Sequence, residues 1–125
     1  MSFILAVDYD GTLFEGSYPE KGAPKQDIID KVKKFKEHGA ELVLWTCRGG
    51  DALKEAVERC EGVGLIFDAI NDNAPANLEW IEEERNNGQE FCERKIFAHF
   101  YVDDRASNLD TFLGIDAEKT CESHK

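Results

Sequence analysis

Phe3-Ile4-Leu5-Ala6-Val7 runs without a break into Asp8-Tyr9-Asp10-Gly11-Thr12. An unbroken apolar run of this length, rich in branched residues, reads as a strand covered on both faces, as strands of parallel sheets are. Two carboxylates and a hydroxyl then stand at the strand's carboxyl end, the edge where open α/β sheets bind ligands. Asp8 and Asp10 are spaced so that both could reach one reacting group. A later stretch repeats the arrangement: Phe97-Ala98-His99-Phe100-Tyr101-Val102 leads into Asp103-Asp104. If the two strands are neighbours, four carboxylates converge. Each pair of unit charges about 4 Å apart repels by roughly 4 kcal/mol at an effective dielectric near 20. Such a cluster requires a compensating cation, and an all-oxygen ligand set points to Mg²⁺.

Outward from the first strand, strands alternate with helices. Leu13 to Pro24 carries Gly16, Pro19, Gly22 and Pro24 and reads as a loop or short flap. From Gln26 to His38, Ile28, Ile29, Val32 and Phe35 recur at helical spacing, and Gly39 is placed to end the helix. Glu41 to Trp45 is a second buried strand, ending at Thr46. Gly49-Gly50 turns the chain into a helix from about Asp51 to Cys60, with Leu53, Ala56 and Val57 as its apolar face. Leu65 to Ile70 reads as a third strand, followed by the polar turn Asn71-Asp72-Asn73-Ala74-Pro75. Pro75 suits the first position of a helix running to about Asn86, with Gly88 beyond it. Ile96 to Val102 is the expected fourth strand, followed by a short helix near Ser107 to Leu113 and a polar tail from about residue 115. This alternation predicts an α/β fold: a three-layer α/β/α sandwich with a mainly parallel, Rossmann-like sheet and right-handed crossovers.

The 125 residues match one domain, 1–125, and 42% apolar content fits a globular chain rather than a disordered one. No apolar stretch approaches the roughly 20 residues a membrane helix needs, and no cationic leader precedes the first strand. No membrane association and a cytoplasmic location are therefore expected. Cys47, Cys60, Cys92 and Cys121 stand far apart without zinc-type pairing and read as free thiols of a reducing compartment. Twenty-six acids against 15 basic residues leave a net charge of -11, which disfavours nucleic acid as a partner. A small phosphorylated substrate stays compatible, because a metal and one or two local cations dominate at contact distance.

Four segments are expected at one sheet edge: Asp8-Tyr9-Asp10-Gly11-Thr12, Thr46, Lys95 just before the fourth strand, and Asp103-Asp104 just after it. In this order the chain resembles the haloacid dehalogenase (HAD) superfamily of aspartate-nucleophile phosphatases. The matching elements are the hydrophobic run into D-Y-D-G-T, the run L-V-L-W into T, the basic R-K, and F-Y-V into D-D, spanning about residues 3 to 105. The resemblance implies that Asp8 attacks phosphorus to form an aspartyl-phosphate. It implies that Asp10 protonates the leaving oxygen and then takes a proton from the hydrolytic water. It further implies Mg²⁺ held by the Asp8 carboxylate, the Asp10 backbone carbonyl and Asp103, with Asp104 holding a metal water or Lys95. Thr46 would donate its hydroxyl to a phosphoryl oxygen, and Lys95, or its neighbour Arg94, would neutralise charge. Thr12, Cys47, Arg48, Gly49 and Asn71 complete the expected substrate-facing set. Many relatives insert a cap domain. Here Leu13 to Pro24 is too short for one, and Gly49 to Arg94 is used up by two helices and a strand. A capless, open site follows, suited to a large substrate or to a small one enclosed by a partner subunit in a homo-oligomer.

Plainer readings stand beside each of these. Asp and Gly after a strand often only make a turn, as do Gly49-Gly50 and Asn71-Asp72-Asn73. Thr12 suits a turn-stabilising hydroxyl, and Asp103-Asp104 suits a helix cap. Lys95 alone would be a surface lysine, and His99 a packed histidine between aromatic residues. Glu82-Glu83-Glu84 fits a solvated helix face. Two other functions share the ingredients. A receiver-like signalling module also uses acids, Thr and Lys around Mg²⁺, but with the paired acids early and the lysine last. A non-catalytic binding or scaffold protein on the same fold would need none of the side chains in place.

Overall fold

Four parallel strands carry the molecule in the spatial order β3-β2-β1-β4: β1 Ile4–Val7, β2 Glu41–Leu44, β3 Ala69–Ile70 and β4 Phe100–Val102. The computed structural model describes residues 1–16, 18, 22–92 and 94–124. Pro19, part of the loop expected before the first helix, lies outside them. Among the described residues five α-helices accompany the sheet: α1 Gln26–Glu37, α2 Gly50–Gly62, α3 Pro75–Asn86, α4 Leu109–Leu113 and α5 Ala117–Glu122, with a 3-10 turn Asp104–Ala106 after β4.

Period-two alternation sorts the strand side chains between two cores. Leu5, Val7, Leu42 and Leu44 join the larger one, which Ile28, Ile29, Val32 and Phe35 of α1, Ala56 and Cys60 of α2, and Phe112, Ala117 and Cys121 further on complete. Ile4, Ala6 and Val43 point the other way, against Ala74, Ile96 and Ala98. The chain steps outward from β1 to β2 to β3, then crosses to the far side of β1 as β4. The β1/β4 border is therefore the point where strand order reverses, and ligands of doubly wound sheets bind in the crevice at such a point. The architecture is a Rossmann-like α/β sandwich, as expected from the strand–helix alternation.

The helices begin and end where local chemistry directs. His38 closes α1 and Gly39 follows at φ +96, a left-handed position that glycine takes without a Cβ clash. Pro75 occupies the first turn of α3, where its missing N–H costs nothing.

Three expectations need correction. The third and fourth strands are shorter than the apolar runs that announced them, because a side chain partway along each run takes a ladder acceptor position. The Leu42 N–H donates to the Asp68 carboxylate at 2.7 Å, and the Ile4 N–H to His99 Nδ1 at 2.9 Å, so pairing proper starts one residue later in both cases. Ile96 and Ala98 are buried as predicted, yet their segment packs over the sheet instead of joining it: the Tyr101 hydroxyl bonds the Ile96 carbonyl and the Ala98 N–H. The stretch read as a polar tail carries α5, whose Ala117 and Cys121, one turn apart, are buried against α1. All four cysteines are free, as expected.

Candidate active site

Backbone pairing of β1 with β4 brings the two acidic strand ends together; the Asp8 N–H itself donates to the Val102 carbonyl at 3.0 Å. Asp8, Asp103 and Asp104 each offer a carboxylate oxygen, and these three atoms lie within 4.8 Å of one another. Thr12 fastens the group from beneath. Its hydroxyl donates to Asp8 Oδ2 at 3.0 Å, with Asp104 Oδ1 an alternative acceptor at 3.4 Å, and accepts the Asp104 N–H at 3.0 Å. Gly11 makes the turn possible: its φ is +78, and a Cβ there would sit 2.2 Å from Asp104 Oδ2.

Asn108 holds the other side. Its Oδ1 accepts the Asp103 N–H at 3.0 Å and its Nδ2 donates to the Tyr101 carbonyl at 2.5 Å, fixing the end of β4. Asp103 also caps the following 3-10 turn through the Arg105 N–H at 2.9 Å, so the capping reading and the cluster reading of this residue are both realised.

Concentrating three acids has an electrostatic consequence. Partial burial, then the charge of Asp103, push the Asp8 carboxyl up to about 7; Asp104 adds to this, while the Thr12 hydroxyl and the Tyr9 backbone oppose it. A cation among the three would relieve the repulsion, and carboxylate oxygens are the donors a hard divalent ion such as Mg²⁺ takes. The donor set fits that ion.

The Asp10 carboxylate, expected as a fourth member, turns away. Arg48 holds it by a fork, Nε to Oδ2 at 2.9 Å and Nη2 to Oδ1 at 2.7 Å. An arginine is a better neighbour for this carboxylate than three like charges. Arg48 is itself buried, with its guanidinium 4.9 Å from the Tyr9 ring centre and 5.2 Å from that of Tyr18. Between the two acids, Tyr9 is buried, packs on Phe14 and accepts a hydrogen bond from Arg59 Nη1 at 3.0 Å. Arg59 also donates to the Gly22 carbonyl at 2.6 Å, so α2 clamps the loop after β1.

At the end of β2, Thr46 stands where the sequence placed it. Its Oγ1 accepts the Arg48 N–H at 3.1 Å, which leaves its own O–H to donate outward, and its N–H donates to Asn71 Oδ1 at 2.8 Å. Asn71, at φ +52, thus braces the β2 loop as a turn residue does. Exposed Cys47 and Gly49, with Arg48, Asp10, Tyr18 and Ala52, line a pocket of about 320 Å³.

Other expected members stand elsewhere. Thr12 is fully buried and its hydroxyl is spent on the two acidic turns, so it positions the cluster. Lys95 and Arg94 are exposed, and neither makes a hydrogen bond or ion pair with any described residue. Lys95 borders a separate pocket with Asn73, Trp80, Phe91 and Phe97. His99 is packed against Phe3 and bonded to the first strand residue, as a structural histidine. Sequence reading missed Asn108, Arg59 and the Arg48–Asp10 pair. The Asn108 side chain reaches back 5 and 7 residues, the Arg48 fork 38 and the Arg59 bond 50, and no local pattern marks such contacts.

Fold and site together define a parallel α/β protein with an acidic cluster at the topological switch point. The chain is similar to a solved structure of a conserved protein coded by a locus of Bacteroides thetaiotaomicron: 31% identity over 100% of this chain and 93% of that one, with a TM-score of 0.68. It belongs to the family of that conserved protein. No family model matches the chain, and no curated protein matches it. Among the described residues no helix is long and apolar enough to cross a membrane.

Proposed function

We propose that the protein is a Mg²⁺-dependent phosphomonoesterase of the HAD type, without a cap domain, working through an aspartyl-phosphate on Asp8. The observation that carries this reading is the meeting of Asp8 with Asp103 and Asp104, about a hundred residues on, at one sheet edge. The lack of room for a cap supports it: Leu13 to Pro24, within the connection from β1 to α1, is only a dozen residues, and α2, β3 and α3 fill most of the chain from residue 50 to 86.

In this reading an Asp8 oxygen attacks phosphorus while the bond from phosphorus to the leaving oxygen breaks, and Asp10 supplies the proton that makes the product a neutral alcohol. Water then attacks the acyl-phosphate, its proton passes to Asp10, and the Asp8–phosphorus bond breaks to release inorganic phosphate. Ester and water have become alcohol and phosphate, and both carboxylates return to their starting state. The Thr46 hydroxyl, whose oxygen accepts the Arg48 N–H, would donate its own proton to a phosphoryl oxygen. Asp8, Asp103 and Asp104, with the Asp10 backbone carbonyl, would hold Mg²⁺, which supplies charge neutralisation for the phosphoryl oxygens and keeps Asp8 ionised. Asp10 has to leave Arg48 and take up a proton from solvent before it can give one to the leaving oxygen.

Hydrolysis of an aryl phosphate such as p-nitrophenyl phosphate tests the reading. Turnover is expected with Mg²⁺ and none with EDTA. Asp8→Asn, nearly isosteric but a poor nucleophile, is expected to fold and to be inactive. Near-normal kinetics in Asp8→Asn removes Asp8 from the mechanism, and a wild type without turnover favours a binding protein.

A further inference from the structure

We propose that Arg48, rather than Lys95, is the cation that receives the phosphate group of the substrate, which it does by exchanging its Asp10 partner for the incoming anion. The proposal rests on the phosphatase reading for the identity of the substrate, a phosphate monoester, but its geometry stands apart from it. Arg48 is 8% exposed, yet it lines the pocket of about 320 Å³ that opens beside Asp10. A buried guanidinium is costly unless paired, and here the Asp10 fork supplies the pairing at 2.7 and 2.9 Å. The planar fork that fits a carboxylate fits two oxygens of a phosphate equally well. A partner exchange therefore leaves the buried charge compensated throughout, and it frees the Asp10 carboxylate at the moment substrate arrives.

The surroundings suit such an exchange. Tyr9, fixed by Arg59, backs the guanidinium on one side, while Tyr18, 64% exposed, flanks it at the pocket. Both ring centres lie close to the guanidinium, at 4.9 and 5.2 Å, and favour a cation there whichever anion it faces. A Cβ built on Gly49 meets nothing within 4 Å, so the wall next to Arg48 leaves space for a ligand. Lys95 has none of these features: it is exposed, it bonds no described residue, and it borders a different cavity among Trp80, Phe91 and Phe97.

Inorganic phosphate is the probe, titrated calorimetrically in the presence of Mg²⁺ into the wild type, Arg48→Gln, Arg48→Lys and Lys95→Ala, each checked for folding by its thermal transition. Binding to the wild type is expected, with at least a tenfold loss in Arg48→Gln. Arg48→Lys, which keeps the charge but not the fork, is expected to fall between them. Unchanged binding in Arg48→Gln, loss confined to Lys95→Ala, or no phosphate binding by the wild type overturns the proposal. Aryl phosphate turnover separates the two ideas. Wild-type turnover with Arg48-independent phosphate binding sinks the assignment of Arg48 and leaves the phosphatase reading. Arg48-dependent binding without turnover sinks the phosphatase reading and leaves Arg48 as the anion receptor.

Discussion

Gly11 shows how closely one residue can govern the acidic cluster. Its positive φ already strains any L side chain, and the Cβ of alanine would fall 2.2 Å from Asp104 Oδ2 and 2.9 Å from its Cγ. The Asp104 carboxylate has to rotate away to make room, which gives up its 3.4 Å contact with the Thr12 hydroxyl and its place beside Asp8. Gly11→Ala is therefore expected to lower stability by about 1–3 kcal/mol, the sum of strain at a left-handed position and a displaced carboxylate. It should also weaken Mg²⁺ binding. Equilibrium urea unfolding and a Mg²⁺ titration check this; a midpoint equal to the wild type's would show that the turn relaxes freely. At this scale the sequence was most informative where chemistry and position coincide, in Asp8, Gly11 and Thr12. It said least about the Arg48 fork on Asp10, since a partner 38 residues away leaves no trace in local pattern.

Among the elements, β1, α1 and β2 follow their patterns nearly residue for residue because each buries the residues that define it. β3 and β4 do not, and the reason is physical. An apolar run reports burial, not hydrogen bonding. Ile96 and Ala98 obtain their burial by lying across the sheet, while Asp68 and His99 side chains occupy the ladder positions a strand backbone would have used. α5 was illegible for the opposite reason, since two apolar residues among polar ones are too few to announce a helix. The short β4 needs help to present its acids, and Asn108 at the start of α4 supplies it by bonding both the Tyr101 carbonyl and the Asp103 N–H. Asn108→Ala leaves both backbone groups without these partners, and about 1–3 kcal/mol of stability is expected to go, as for a partly buried polar group deprived of its bond. Loss of stability should come with loss of Mg²⁺ affinity, because the same bonds aim Asp103. A variant that is destabilised but binds Mg²⁺ as the wild type does would separate the end of β4 from the cluster.

The whole molecule carries -11 net charge, so its stability is expected to decline with rising pH for general electrostatic reasons. Asp8 adds a specific component with a definite sign. Its carboxyl holds a proton up to about 7 in the folded protein and loses it near the ordinary aspartate value of 3.8 when unfolded. The folded state thus binds the extra proton across that window, and by linkage stability falls as pH rises from about 4 to about 7. The contribution is fully present below the unfolded value and gone above the folded one. In EDTA, the wild type should therefore melt at a lower temperature at pH 8 than at pH 5. Asp8→Asn, which cannot titrate there, should show a smaller drop, so the difference between the two proteins isolates this carboxyl from the global charge. For a domain of this size a contribution of 1 kcal/mol corresponds to about 4 °C in Tm. Mg²⁺ should reverse the effect with the opposite pH dependence, because it binds only deprotonated ligands: strong stabilisation at pH 8, little at pH 5, and little at either pH in Asp8→Asn. Parallel melting curves for the two proteins across pH would mean that Asp8 is ionised throughout and that the three acids do not repel as their spacing requires.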